Sequence, residues 1–493
     1  MTLVAPSAPR TTANLGERAM RGIVTLAARE GAMKLLAFGG DIALYRLLTP
    51  ADFGVIVPVA FLAGLVKQFA DLGLQPSVVQ RPSEPREREL RAVFTAQLGL
   101  VVCAATIVFF AGPFMVDGLL GREADHWLIR VFALSILFSA FRIVPAALLE
   151  RHLQFGRLAL ADISSTVSYY ALGIAFAIGA AGAWSLAVAH VGASLVSTLA
   201  LIALKPWRPV PTRNVARMRA FAAFGSKFQG SRLALMLKDS LIPLFAPRAY
   251  GVTATGWLSW ADKISAQPLT LTQLVARVSL PAFSRIQAEP ERVRAGAEFT
   301  LKWNAICTLP LFAAVLAFGP EIARYIYGED WIPAVPALYV MSLNAALVPL
   351  NGLITPVLNA LGKTRLVLAV AVCWAAAAWV TAVSLSATGM GFIAIPVALA
   401  GTQVAAALVL VPLARREFGL RLLHHLPKPL LAATLAGLVG RFVLLPMLTD
   451  GILLVQGAIL VIVLYGGLVY ALDRRAIRDE IATIIQRRLA TRP

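Results

Sequence analysis

Long apolar runs alternate with short polar connections along the whole chain. Fourteen runs approach or exceed the about 20 residues that a helix needs to cross a bilayer: 22–46, 54–79, 92–112, 128–149, 160–180, 183–204, 222–246, 250–282, 298–318, 333–360, 366–387, 390–413, 429–448 and 451–472. No connection is long enough to fold as a separate domain. The pattern predicts an all-α polytopic membrane protein with about fourteen transmembrane helices.

The basic residues give the spans a direction. With a cytoplasmic N-terminus, the inside stretches hold 29 of the 45 Lys/Arg, and the outside loops hold three: Arg122, Arg248 and Arg324. Basic loops stay on the cytoplasmic side during insertion, so both termini are expected there. The longest inside connection, 205–221, is basic and Pro-bearing. It divides the chain into a disordered N-tail (1–21), a first lobe (22–204), the linker (205–221), a second lobe (222–414), a basic loop with two further spans (415–472) and a basic amphipathic tail (473–493). Ile477, Ile481, Ile484, Ile485 and Leu489 lie at helical spacing in that tail. Such a helix suits the inner membrane surface, although a solvated frayed tail is equally compatible.

The lobes look like a duplication. Pro50-Ala-Asp-Phe-Gly54 recurs as Pro247-Arg-Ala-Tyr-Gly251, and Ser83-Glu-Pro-Arg-Glu87 as Ala288-Glu-Pro-Glu-Arg292. Gly112-Pro113 with Gly121 recurs as Gly319-Pro320 with Gly328, and Pro145 matches Pro356. The offsets run through 197, 205, 207 and 211. Six spans per repeat is an even number, so both repeats enter from the same side. Their pseudo-two-fold axis then lies along the membrane normal.

Composition narrows the function. At 58% hydrophobic and 14% charged, the chain cannot hide its apolar surface in a soluble fold. The net charge of +19 is confined to alternate loops, which points to anionic membrane lipids rather than nucleic acid. The excess of Arg over Lys and the abundant Ala suit a GC-rich bacterial genome, hence a bacterial inner membrane. No signal peptide with a small-residue cleavage site is recognised. Cys103, Cys307 and Cys373 fall inside spans and match neither a disulfide framework nor a metal site. The five His show no metal-ligand spacing. No phosphate loop, nucleophile turn or zinc-protease motif is present, so no catalytic residue, metal or organic cofactor is expected. Trp127, Trp184, Trp207 and Trp331 fall near predicted interfaces, where amphipathic rings anchor spans.

The run Leu44-Tyr-Arg-Leu-Leu-Thr-Pro-Ala-Asp-Phe-Gly54, with Phe69-Ala-Asp71-Leu-Gly73-Leu and Val79-Gln-Arg81, resembles the polysaccharide or O-antigen flippases. These form part of the multidrug/oligosaccharidyl-lipid/polysaccharide exporter superfamily. The resemblance covers essentially the whole chain. It implies two six-helix lobes plus two C-terminal helices, with helices 1, 2, 7 and 8 around a central cavity. It also implies translocation of undecaprenyl-pyrophosphate-linked oligosaccharide from inner to outer leaflet by alternating access. Polysaccharide polymerase or export proteins would be partners. A lipid II flippase and a multidrug exporter of the same superfamily are the alternatives. A polytopic glycosyltransferase is disfavoured, because the outer loops are too short to hold a catalytic centre.

The spans hold 13 cations, and ionisable groups at mid-bilayer cost roughly 2.5–3.5 kcal/mol each on insertion scales. Arg46, Arg130, Arg277 and Lys302 lie close enough to span ends to snorkel to water. The deeper set is Arg29, Lys34, Lys67, Lys227, Arg232, Lys238 and Lys263, all on helices 1, 2, 7 and 8. Arg142 is expected to enter the cavity from helix 4. Such groups would bind a pyrophosphate, Arg by bidentate contacts and Lys as a point charge. The competing reading is internal neutralisation: Lys34 with Glu30, Lys67 with Asp71, Lys238 or Arg232 with Asp239, and Lys263 with Asp262 or Asp239. The acids Glu30, Asp41, Asp71, Asp239 and Asp262 could also bind H+ or Na+ and drive the cycle. Arg441 could hold a headgroup or pack a helix, and Pro268 could kink helix 8.

Overall fold

The computed structural model describes residues 31–70, 74–79, 83–121, 125–212, 236, 239–270, 272, 290–352, 364–419, 424, 426–447 and 450–490. Among them the first half forms α1 (31–47), α2 (Pro50–Ala70), the short α3 (Leu74–Val79), α4 (Glu87–Phe110), the short α5 (Gly112–Leu120), α6 (His126–Arg151), α7 (Phe155–Ile178) and α8 (Ala183–Leu204). The second half forms α9 (Ala246–Ser265), α10 (Pro290–Glu321), α11 (Val335–Gly352), α12 (Thr364–Ser386) and α13 (Ala394–Phe418). Two further helices follow, α14 (Pro427–Val439) and α15 (Gly451–Ala490). Eleven described helices are long and apolar enough to cross a membrane, and they coincide with predicted spans 2 to 6 and 9 to 14. Spans 1, 7 and 8 are described only in part. The protein is an all-α, multi-pass membrane protein.

Local chemistry sets the helix ends. Thr49 and Asp52 cap the start of α2 reciprocally. The Thr49 amide and hydroxyl donate to Asp52 Oδ2 at 2.9 and 2.7 Å, and the Asp52 amide donates back to Thr49 Oγ1 at 3.3 Å. Pro50 fills the first helical position, where its missing N–H costs nothing. The Thr-Pro-Ala-Asp segment of the recognised run is therefore a helix-start device. Asp125 caps α6 through the Trp127 amide at 2.9 Å, and Asp450 caps α15 through the Ile452 and Leu453 amides at 2.8 Å. At Pro268 the α-helical ladder of α9 has already given way to turns over 266–268, so span 8 is broken rather than gently bent.

The duplication is visible as geometry. A Cβ at Gly54 would overlap the Val252 carbonyl, and a Cβ at Gly256 would overlap the Pro50 carbonyl. Gly54 to Gly256 and Pro50 to Val252 are each 202 positions apart, so the two contacts are mirror copies about a two-fold axis. This corrects the register at the first motif: Gly54 corresponds to Gly256, not Gly251, which instead breaks α9 with a φ of 82°. Further along, Gly121 and Gly328 both end a segment with positive φ, 77° and 118°, as the sequence alignment predicts. The paired positive-φ residues Ala180/Gly182 and Gly389/Gly391 repeat the same turn 209 positions apart.

Candidate substrate cavity and its seal

Where α2 crosses α9, the two lobes close on each other. Tyr45 and Phe53 from the first lobe stack at 4.3 Å between ring centroids. Trp331 from the second lobe meets Tyr45 edge-on at 4.8 Å and Phe53 at 5.7 Å. Tyr327 and Trp260 complete the plug, Trp260 stacking on Trp331 at 5.9 Å. Tyr45, Trp260 and Trp331 are 3%, 0% and 1% exposed. Polar bonds reinforce the seal. Trp331 Nε1 donates to the Tyr45 carbonyl at 2.9 Å, and Arg46 donates to the carbonyls of Tyr325 and Ile326. Arg248 donates to the Gly118 carbonyl at 2.9 Å. Arg46 stays exposed, as its position near the span end predicts, and also ties one lobe to the other; Trp331 is 1% exposed and so is buried in the seal rather than an interface anchor.

Directly behind the plug, Asp41 of α1 accepts from Lys263 Nζ of α9 at 2.7 Å and from the Tyr170 hydroxyl at 3.0 Å, both on Oδ1. Lys263 Nζ also lies 5.5 Å from the centre of the Tyr45 ring. The expected pairing of Lys263 with Asp262 or Asp239 gives way to this cross-lobe pair with Asp41. Adjacent residues on a helix point about 100° apart and cannot face each other. Asp262 and Asp239 are exposed.

On the far side of Tyr170 lies a cavity of about 380 Å³ within the first lobe. Its basic groups are Lys67 from α2, Arg142 from α6, one turn before Pro145, and His190 from α8. Hydroxyls of Ser165, Thr166, Tyr169 and Tyr170 from α7 and Ser194 from α8 line the rest. His190 is held in place by stacking on Phe132 at 4.8 Å. Ala37 of α1 completes the wall. Lys34 and Asp41 lie one turn to either side of Ala37 on the same helical face, and Lys34 is exposed. This set can bind an oxyanion by charge and a polyol by hydroxyl contacts, and it contains no cluster of metal ligands among the described residues.

Of the sequence-derived site residues, the structure brings Lys67 and Arg142 to one cavity and commits Lys263 to Asp41, while Lys34 is exposed and is not part of the cavity wall. Arg29, Glu30, Asp71, Lys227, Arg232 and Lys238 lie outside the described residues, as do Arg277 and Pro356. Sequence reasoning missed His190, Tyr169, Tyr170, Ser165, Thr166 and Ser194. The signal was available: 161–170 reads Ala-Asp-Ile-Ser-Ser-Thr-Val-Ser-Tyr-Tyr, and α7 is the least apolar of the described spans. Two other cations are settled by packing. Lys302 is 4% exposed and pairs with Asp473 at 3.0 Å, so it does not snorkel. Arg441 reaches Glu321 at 3.7 Å and the Ala317 carbonyl at 3.3 Å, which favours the helix-packing reading.

Residues 43–336, more than half of the chain, match the family described as polysaccharide biosynthesis protein. The chain belongs to this family. Family relatives include the teichuronic acid biosynthesis protein TuaB of Bacillus subtilis, 24% identical over 55% of this chain and 57% of its own. The succinoglycan biosynthesis transport protein ExoT of Rhizobium meliloti is 23% identical over 65% of each chain. The match thus spans less than two thirds of these relatives' length. In fold the protein is similar to the lipid II flippase MurJ in its inward closed conformation, with a TM-score of 0.73 and 14% identity, covering 92% of this chain and 100% of that one. The likeness shows that the two chains share a fold.

Proposed function

We propose that this protein is a flippase that carries an undecaprenyl-pyrophosphate-linked oligosaccharide, a repeat unit of surface polysaccharide, from the inner to the outer leaflet of a bacterial inner membrane. The observation that supports it most is a Lys67–Arg142–His190 cavity lined by hydroxyl groups, in a molecule whose lobes meet at a separate cross-lobe aromatic plug. The basic-loop asymmetry puts the plug outside and both termini in the cytoplasm. The pyrophosphate would meet Lys67 and Arg142, the sugars would meet the hydroxyls, and the polyprenyl tail would stay in the bilayer. A cavity with two permanent cations disfavours cationic drugs as cargo. Outward opening requires the Asp41–Lys263 pair to part along with the plug. Binding of H+ at Asp41 would release Lys263 and couple that separation to an ion gradient.

Deletion in the native host is expected to remove surface glycan while lipid-linked oligosaccharide accumulates facing the cytoplasm. Lys67→Ala and Arg142→Ala are expected to restore little glycan at normal protein level. Full complementation by both variants would refute the cavity assignment, and intact glycan with lost drug resistance in the deletion strain would favour the exporter.

A further inference from the structure

A second recess lies on the outer flank of the first lobe, between α4 and α6, away from the cavity and from the α2–α9 crossing. It encloses about 470 Å³ and is walled by apolar side chains, among them Val102, Phe109, Phe110, Leu134 and Leu137. Phe110, Leu134 and Val102 are 67%, 47% and 46% exposed, so this face looks onto lipid. One charged group enters it. Arg130 sits four residues into α6, about 6 Å along the helix axis and so near headgroup level. Its guanidinium carbon lies 5.0 Å from the Trp127 ring and 5.6 Å from the Phe109 ring. Its Nε is buried without a hydrogen-bond partner, and it makes no ion pair among the described residues.

The described carboxylates at this end are committed elsewhere. Asp125 accepts from the Trp127 amide and from Trp184 Nε1, both at 2.9 Å. Asp117 pairs with His126 at 2.7 Å. An aromatic-flanked guanidinium with a buried, unpartnered donor calls for an oxyanion from outside the chain. Below it the recess runs seven residues along α6 to Leu137, about 10 Å of apolar wall. The occupant must therefore join an anionic head to an apolar chain.

We infer that this recess is a binding site for an outer-leaflet anionic glycerophospholipid, its phosphodiester on Arg130 and one acyl chain along Phe109, Leu134 and Leu137. A net-anionic head fits better than a zwitterionic one, because no described carboxylate pairs with Arg130. The site is separate from the transport cavity, and the lipid is a resident rather than cargo.

Native mass spectrometry of the purified full-length protein tests this, with phosphatidylglycerol, phosphatidylcholine and undecaprenyl phosphate as separate probes. The wild type is expected to retain phosphatidylglycerol over phosphatidylcholine, and Arg130→Gln to weaken that binding on the order of tenfold, the scale of a charged hydrogen bond. Arg130→Lys should weaken it less. Leu134→Trp fills the recess from an exposed position, leaves Arg130 in place, and should also reduce binding. Unchanged phosphatidylglycerol binding in Arg130→Gln and Leu134→Trp overturns the assignment. So does displacement of the bound phosphatidylglycerol by undecaprenyl phosphate, which would make the recess part of the cargo route. Neither readout depends on transport, so the outcome is independent of the proposed function.

Discussion

Trp331 offers the sharpest test of the seal. Its ring touches Tyr45 and Phe53 of the opposite lobe at 4.8 and 5.7 Å, and its Nε1 donates to the Tyr45 carbonyl. These contacts vanish when the lobes part at this end, whereas the stack on Trp260 stays within one lobe. Each aromatic pair contributes about 0.5–1.5 kcal/mol and the hydrogen bond about 1 kcal/mol, so Trp331→Ala removes roughly 2–4 kcal/mol from the sealed state alone. At about 1.4 kcal/mol per decade, the open-to-sealed ratio should rise roughly thirtyfold or more. Spin labels at the exposed Phe114 and Glu329, in a cysteine-free background, report the lobe separation by pulsed electron resonance. Trp331→Phe keeps the ring contacts, loses only the donor, and should shift the ratio about fivefold. If Trp331→Ala lowers thermal stability but leaves the distance distribution as in wild type, the plug is ordinary core packing and not a gate.

Two further substitutions probe the same architecture. Gly54→Ala and Gly256→Ala each drive a Cβ into the backbone of the partner helix, an overlap no rotamer change relieves, at a cost of about 1–3 kcal/mol. The two-fold relation predicts near-equal effects on the label distances, and wild-type behaviour of both would disprove the close crossing. Asp473→Ala removes the carboxylate that pairs with Lys302, which is 4% exposed, and should lower stability. Adding Lys302→Met should recover most of the melting temperature in detergent, because the buried charge is then gone.

The sequence by itself determined the all-α multi-pass class, the places of the eleven described spans and the presence of cations within them. Those follow from local quantities: the length of an apolar run and the cost of a charge in hydrocarbon. It also placed Lys67 and Arg142 among the candidate binding residues. Tertiary structure alone decided which charges meet across spans and which groups line a common cavity. Lys263 finds Asp41, Lys302 finds Asp473 and Arg46 finds two carbonyls, all from distant spans. His190 and Tyr170 joined the cavity only because α7 and α8 pack beside α2 and α6. The recognised Pro50–Gly54 run forms the helix start of α2 and its close crossing with α9. The physical reason is reach: an ion pair or a ring stack acts over a few ångströms, so its partners are set by how helices pack and not by their order along the chain.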